Sequence, residues 1–178
     1  MAVVELAELH YADCPTTEAE VIVAAPPSAI WPVVCDISMP AKFSSEFQGG
    51  EWLDGVTEPA LGARFRGRNF HPARGAWETV STIYLFEPDH QLGWAVGSLD
   101  QPAASWLFSL EPVVAADGSG ATRLRQWAQL GPGESGISEL IAQMPDKESR
   151  ILYRRLAEHN ANMLATLTGI KELAEASV

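Results

Sequence analysis

Three things are scarce in this sequence: cysteine, positive charge and long apolar runs. Two cysteines occur in 178 residues, Cys14 and Cys35, with no CxxC spacing and no histidine beside either. They build no disulfide scaffold, and the composition points to a reducing, cytoplasmic setting. Cys35 stands in the apolar stretch "IWPVVCDI" and reads as a small buried hydrophobe. Lysine and arginine number 12 against 23 aspartates and glutamates, a formal charge of −11. Nucleic acids and anionic membranes need a basic footprint on their partner, so neither is expected here. No apolar stretch approaches the roughly 20 residues of a membrane span. The first twenty residues, with Glu5, Glu8 and Asp13, lack the basic start and apolar run of a signal peptide.

Catalytic signatures are scarce too. His10, His71 and His90 fall in expected loops or in the N-terminal extension and share no ligand spacing, so no metal site is expected. The glycine clusters "DGSG" and "GPGESG" lack the Lys–Ser/Thr ending of a phosphate loop. No Gly-x-Ser-x-Gly elbow and no Cys–His pair is present, and no cofactor is implied.

What remains is an ordinary globular composition, 47% hydrophobic and 20% charged, in a chain suited to one domain with a sizeable core. Residues 1–17 carry no strong pattern and read as a loosely attached extension, with a single domain over 18–178. "EAEVIVAA" reads as a strand stopped by Pro26 and Pro27. "PPSAIWPVVCDI" opens a short helix that Pro32 breaks or doubles before about residue 44. Six further strands follow, over 47–53, 62–70, 75–87, 91–97, 103–111 and 121–130, separated by turn material such as "HPAR", "EPDHQ" and "AADGSG". Their short connections imply antiparallel neighbours. From Asp146, a candidate N-cap, the period changes: Leu152, Leu156, His159, Met163, Leu167, Ile170 and Ala174 form one helical stripe. Gly169 interrupts that helix at a cost of about 1 kcal/mol against alanine. "GPGESGISELIAQMP" leads into it, as a plain connector or as a cover over a cavity mouth. The order predicts an α+β fold in which one amphipathic helix lies across a curled sheet, and the gap between them is a natural cavity.

The motifs resemble, in order and spacing, a known superfamily. "IVAAPPSAIWPVVCDI" is similar to the opening strand and helix of the START/polyketide cyclase-like (SRPBCC) proteins. "GARFRGRN", "GAWETVSTIYLFEPDHQLGWAV", "ASWLFSLEP" and "GATRLRQ" resemble successive strands of its polyketide cyclase/dehydrase and lipid-transport branch. "MLATLTGIKELAEA" resembles the end of its C-terminal helix. The resemblance covers about residues 18–176 and implies the helix-grip fold: seven antiparallel strands wrapped around a long helix, enclosing a hydrophobic cavity. Its members include aromatase/cyclases, lipid carriers, and hormone and flavonoid binders.

The segment "RFRGRN" tests which strand face looks inward. Arg64, Arg66 and Arg68 alternate with Phe65, Gly67 and Asn69, so one set faces the core. The next strand splits into Trp77, Thr79, Ser81, Ile83 and Leu85 against Glu78, Val80, Thr82 and Tyr84, and Glu78 can pair with the arginines across strands. Burying three cations without an acidic cluster is far costlier than exposing them, so the arginines are expected outside. A one-residue slip of register would exchange the faces. Phe65, Asn69, Trp77, Thr79, Ser81, Trp94, Trp106, Phe108 and Gln126, with His159 and Met163 from the helix, then line the cavity. Tryptophans offer flat contact area, and the polar side chains orient a ligand. His159 is also the candidate general base.

The expected partner is a hydrophobic, aromatic or polycyclic small molecule; whether the chain acts as monomer or homodimer stays open. The alternatives are a polyketide aromatase/cyclase performing cofactor-independent aldol closure, and a non-catalytic partner-binding module. The resemblance implies that a cyclase pocket holds an arginine beside hydroxyl groups, and no arginine falls on the strand face assigned inward.

Overall fold

A computed structural model describes residues 8–115 and 117–177. The strands are β1 (Thr16–Val23), β2 (Phe47–Trp52), β3 (Arg64–His71), β4 (Gly75–Glu87), β5 (Gln91–Gly97), β6 (Pro102–Val114) and β7 (Gly120–Leu130). The helices are α1 (Pro27–Cys35), α2 (Gly136–Gln143) and α3 (Glu148–Glu175). The strands form one antiparallel sheet in the order β1-β7-β6-β5-β4-β3-β2. Successive hairpins run from β2 to β7, and β1 closes on β7 across the chain. Among the described residues no helix is long and apolar enough to cross a membrane.

The arginines of β3 do face outward. Phe65 and Gly67 are buried while Arg64 and Arg68 are exposed. Arg64 donates to Asp54 at 2.8 and 3.0 Å, and Arg66 reaches Glu51 at 2.8 Å and Glu78 at 3.5 Å. Arg123 and Arg125 continue this outer charge ladder with Glu20, Glu111 and Glu18. Exposed pairs contribute about 0–1 kcal/mol each, so they mark the wet face more than they hold the sheet together.

Three bulges bend the sheet, near Phe47/Gly49, Ile83/Leu85 and Val96/Gly97. The second corrects one expected face. Strict alternation puts Leu85 inside with Ile83, but the extra residue shifts the phase. Phe86, not Leu85, packs against the core and against the Trp31 ring at 5.7 Å. On the outer face Tyr84 lies over Gly93, where an added Cβ would sit 2.8 Å from the ring.

Helix α3 is held at both ends. Leu167, Ile170 and Ala174 join the main core with α1 and the inner faces of the central strands. Leu152 joins a smaller cluster with Tyr11 and Leu130, flanked by Ile137 and Ile141 of α2. Each fully buried leucine or isoleucine among these stabilises by about 1.5–3 kcal/mol. His159 and Met163 lie on the span between the two clusters, so α3 roofs a gap there.

Two local expectations are corrected. Asp146 does not cap α3: Pro145 starts a 3₁₀ turn through Lys147, and Lys147 holds the cap position with no side-chain bond. The acid that serves the helix start is Glu148, whose carboxylate accepts the Tyr11 N–H at 2.8 Å, as suits the positive end of a helix. Nor are the described residues before β1 loose. The Tyr11 hydroxyl donates to the Gly133 carbonyl at 2.6 Å and lies 3.0 Å from Ser135 Oγ. Leu9 N–H reaches Ser149 at 3.2 Å, and β1 itself begins at Thr16. The part of the expected extension over residues 1–7 lies outside the described residues. Pro32 is the sixth residue of α1, which runs through it and ends three residues later; a separate 3₁₀ turn follows at Met39–Lys42, so the segment is doubled as expected but is not broken at Pro32.

Candidate functional site

Between sheet and helix lies a cavity of about 350 Å³, at the lower end of the size range of small-molecule pockets. All eleven residues expected there are on its wall: Phe65, Asn69, Trp77, Thr79, Ser81, Trp94, Trp106, Phe108, Gln126, His159 and Met163. The register explains the convergence. Asn69 stands opposite Trp77 across β3 and β4, Phe65 opposite Ser81, Trp94 opposite Trp106, and Phe108 opposite Gln126. Every one of these pairs faces inward, so neighbouring strands deliver their side chains to one concave surface.

The floor is aromatic. The Trp94 and Trp106 rings stack at 6.1 Å with 6° between planes. Phe65 meets Trp94 edge-on at 6.2 Å, Phe108 lies 5.8 Å from the same indole, and His159 closes on Trp106 at 4.9 Å from above. Such ring pairs contribute about 0.5–1.5 kcal/mol beyond the area they bury. Together they hold the tryptophans in place before any ligand arrives.

Among the described residues, two buried polar atoms in this wall have no hydrogen-bond partner: Gln126 Oε1 and His159 Nδ1. Their residues are only 6% and 5% exposed. Burial holds the His159 pKa well below the usual histidine value, and the Arg155 charge pushes it the same way. The ring is therefore neutral at physiological pH, with one nitrogen donating and the other accepting. Asn69 and Thr79 are partly satisfied by each other at 3.5 Å, with the Gly67 carbonyl 3.4 Å from the Asn69 amide.

Arginines do reach the cavity, by a route the strand pattern hides. Arg155, one turn before His159 on α3, lines it together with Asn162 and Thr166. The Arg155 guanidinium grips both carboxylate oxygens of Glu46, and each side chain is only 15% exposed. Asn162 Oδ1 accepts from Ser45 N–H at 2.9 Å and from Ser45 Oγ at 3.0 Å, tying the chain before β2 to the helix. These residues flank the apolar stripe at i±3 and i±4 from His159 and Met163, and that spacing was the available signal. At the mouth, Arg74 of the β3–β4 turn lies over the Trp77 ring at 4.7 Å. Its guanidinium also presses on Gly136, where a Cβ would come within 2.0 Å of Nη1. "HPAR" reads only as a turn in sequence. "GPGESGISELIAQMP" proves to hold helix α2, started by a reciprocal cap between Ser135 and Ser138, with Glu134, Ser135, Gly136 and Ile137 on the cavity wall.

A curled antiparallel sheet gripping one long helix around an aromatic-lined pocket defines the helix-grip class of proteins. Within it, the chain belongs to the family described as polyketide cyclase/dehydrase and lipid transport, whose sequence profile matches residues 15–159. Similar solved structures include the polyketide-cyclase-like protein Cgl2372 of Corynebacterium glutamicum, 29% identical over 91% of this chain and 92% of that one, with a TM-score of 0.60. The Zhui aromatase/cyclase of Streptomyces sp. R1128 is 18% identical over 90% and 93% of the two chains, with a TM-score of 0.59. The di-domain aromatase/cyclase BexL of the BE-7585A biosynthetic pathway is also 18% identical, over 90% of this chain and 50% of its own, at a TM-score of 0.62. No curated protein matches the sequence.

Proposed function

We propose that the protein binds a flat, hydrophobic aromatic or polycyclic molecule in the cavity between sheet and helix. The observation that carries this reading is the preformed floor of Trp94 stacked on Trp106, with Phe65 and Phe108 packed against it. Planar rings held in place lose little freedom when a planar ligand covers them, so dispersion and apolar burial go largely into affinity. Family membership supports a role in ligand binding or cyclisation.

A second reading, a cyclase for poly-β-ketone chains, is favoured by Arg155 and His159 sharing the wall. Two features weigh against it. Glu46 already neutralises Arg155, which weakens it as a carbonyl-polarising cation. The depressed pKa of His159 makes it a weak base, though an available one.

The test is equilibrium binding of naphthalene and anthracene beside the saturated bicycle decalin. The flat molecules should bind with one-to-one stoichiometry and decalin more weakly. Trp94→Ala and Trp106→Ala should each weaken the flat ligands by about 1–3 kcal/mol. Equal binding of decalin, or unchanged affinity in both folded variants, refutes aromatic recognition. Turnover of a poly-β-ketone thioester that His159→Gln lowers about a hundredfold would establish the cyclase reading instead.

A further inference from the structure

The cavity wall is aromatic at its floor but has a polar end that the fold leaves unsatisfied. Gln126 sits on β7 opposite Phe108, and the next inward pair along those strands, Leu124 and Leu110, already belongs to the solid core. Gln126 therefore marks the inner end of the cavity. His159 lies against Trp106, whose partner on β7 is Ala128, two residues from Gln126. Both side chains line the cavity, Gln126 from the sheet and His159 from the helix. Each carries a buried polar atom with no hydrogen-bond partner among the described residues, Oε1 and Nδ1. Leaving a buried polar atom unpaired costs free energy, which a ligand group that pairs it regains.

We infer that the ligand of this cavity carries a neutral hydroxyl on its buried end, held between Gln126 and His159. The inference rests on the aromatic-binding reading above and specifies what that reading leaves open. A hydroxyl both donates and accepts. It can donate to Gln126 Oε1 and accept from the His159 ring. A carbonyl or ether oxygen only accepts, and so leaves Gln126 Oε1 unpaired. A carboxylate is excluded by charge. His159 is neutral in this setting, and the nearby guanidinium of Arg155 is already spent on Glu46. Among the described residues no other cation lines the inner end; Arg74 stands at the mouth over Trp77. Placing an anion there would incur desolvation without a counter-charge. The combination selects a hydroxylated aromatic ring in its uncharged form over its methyl ether, its unsubstituted parent and its carboxylic acid.

Equilibrium dialysis at pH 7 with four probes of one ring system tests this: 2-naphthol, 2-methoxynaphthalene, naphthalene and 2-naphthoate. The wild-type protein should hold 2-naphthol about tenfold or more tighter than each of the others. Gln126→Leu and His159→Phe should each bring the naphthol-to-naphthalene ratio close to one, and if one variant fails to fold, the other decides. Equal binding of naphthalene and 2-naphthol by the wild type overturns the hydroxyl inference and leaves aromatic binding intact. A hydroxyl preference that survives in the folded variants overturns it too, because the group is then recognised elsewhere. If none of the probes binds, the aromatic-binding reading falls and takes this inference with it.

Discussion

At the scale of single residues, the cavity separates side chains with partners from side chains without them. Arg155 and Glu46 satisfy each other in a place that water barely reaches, each with 15% of its side chain exposed. Removing one member of such a pair strands the other's charge, which costs more than the intact pair contributes. Arg155→Met should therefore destabilise the fold by about 2–4 kcal/mol, somewhat less than for a fully buried pair because Glu46 keeps some solvent. Changing Glu46→Leu in the same chain should restore most of the loss. Urea unfolding of the two single variants and the double variant measures this. Additive losses in the double variant would show that the two charges are not coupled. Gln126 and His159 are the opposite case: among the described residues, one buried polar atom of each has no hydrogen-bond partner, and a ligand can supply it.

Among the elements, α3 shows how a local rule reverses in its tertiary setting. Propensity alone counts Gly169 as a defect that alanine would repair by about 1 kcal/mol. In the folded protein the Phe43 ring occupies the place of the missing side chain, and a Cβ at 169 would come within 2.4 Å of three ring carbons. Overpacking of this kind costs about 1–3 kcal/mol. Gly169→Ala should therefore lower the melting temperature. The same substitution in a Phe43→Ala background should be neutral or stabilising, because only the helical preference then remains. A rise in melting temperature in the wild-type background would show that Phe43 swings aside freely. Bulges act on strands in a similar way. One extra residue at Tyr84 exchanges Leu85 for Phe86 on the core face, and no pattern of alternating residues announces it.

For the whole molecule, the buried neutral histidine makes stability depend on pH. The folded-state pKa of His159 is depressed, with burial as the first cause and the Arg155 charge as the second. Above about pH 6.5 both folded and unfolded chains keep this ring neutral, and it adds no pH dependence. Below that value the unfolded chain takes up a proton that the folded chain refuses, so stability falls as pH falls, by up to about 1.4 kcal/mol per unit. His10 works in the other direction: its hydrogen bond to Glu148 raises its pKa, which favours the folded state below the ordinary histidine range. Comparing wild type with His159→Gln from pH 7.5 to 5 isolates the buried ring. The wild type should lose stability more steeply on acidification, and parallel curves would mean that the folded protein admits the proton.

The order of elements along the chain and most inward faces were legible in the sequence because both depend on short-range pattern. The pairing of β1 with β7, by contrast, joins residues about a hundred positions apart. The alternation in "RFRGRN" placed Phe65 and Asn69 inside through the cost of burying three cations, and the helical stripe placed His159 and Met163 over them. Tertiary structure alone decided the rest, wherever a contact joins residues far apart in the chain. Arg155 reaches the cavity because the helix turns its flank, as well as its apolar stripe, toward a sheet that curls away from it. Tyr11 is fixed because Gly133 and Ser135, more than a hundred residues later, offer it oxygens. Lys147, not Asp146, stands at the cap position of α3, because a 3₁₀ turn starting at Pro145 precedes the helix. Sequence pattern records which face of an element is apolar. Which polar atoms on that face remain unpaired depends on how the layers meet, and at Gln126 and His159 they meet around a space.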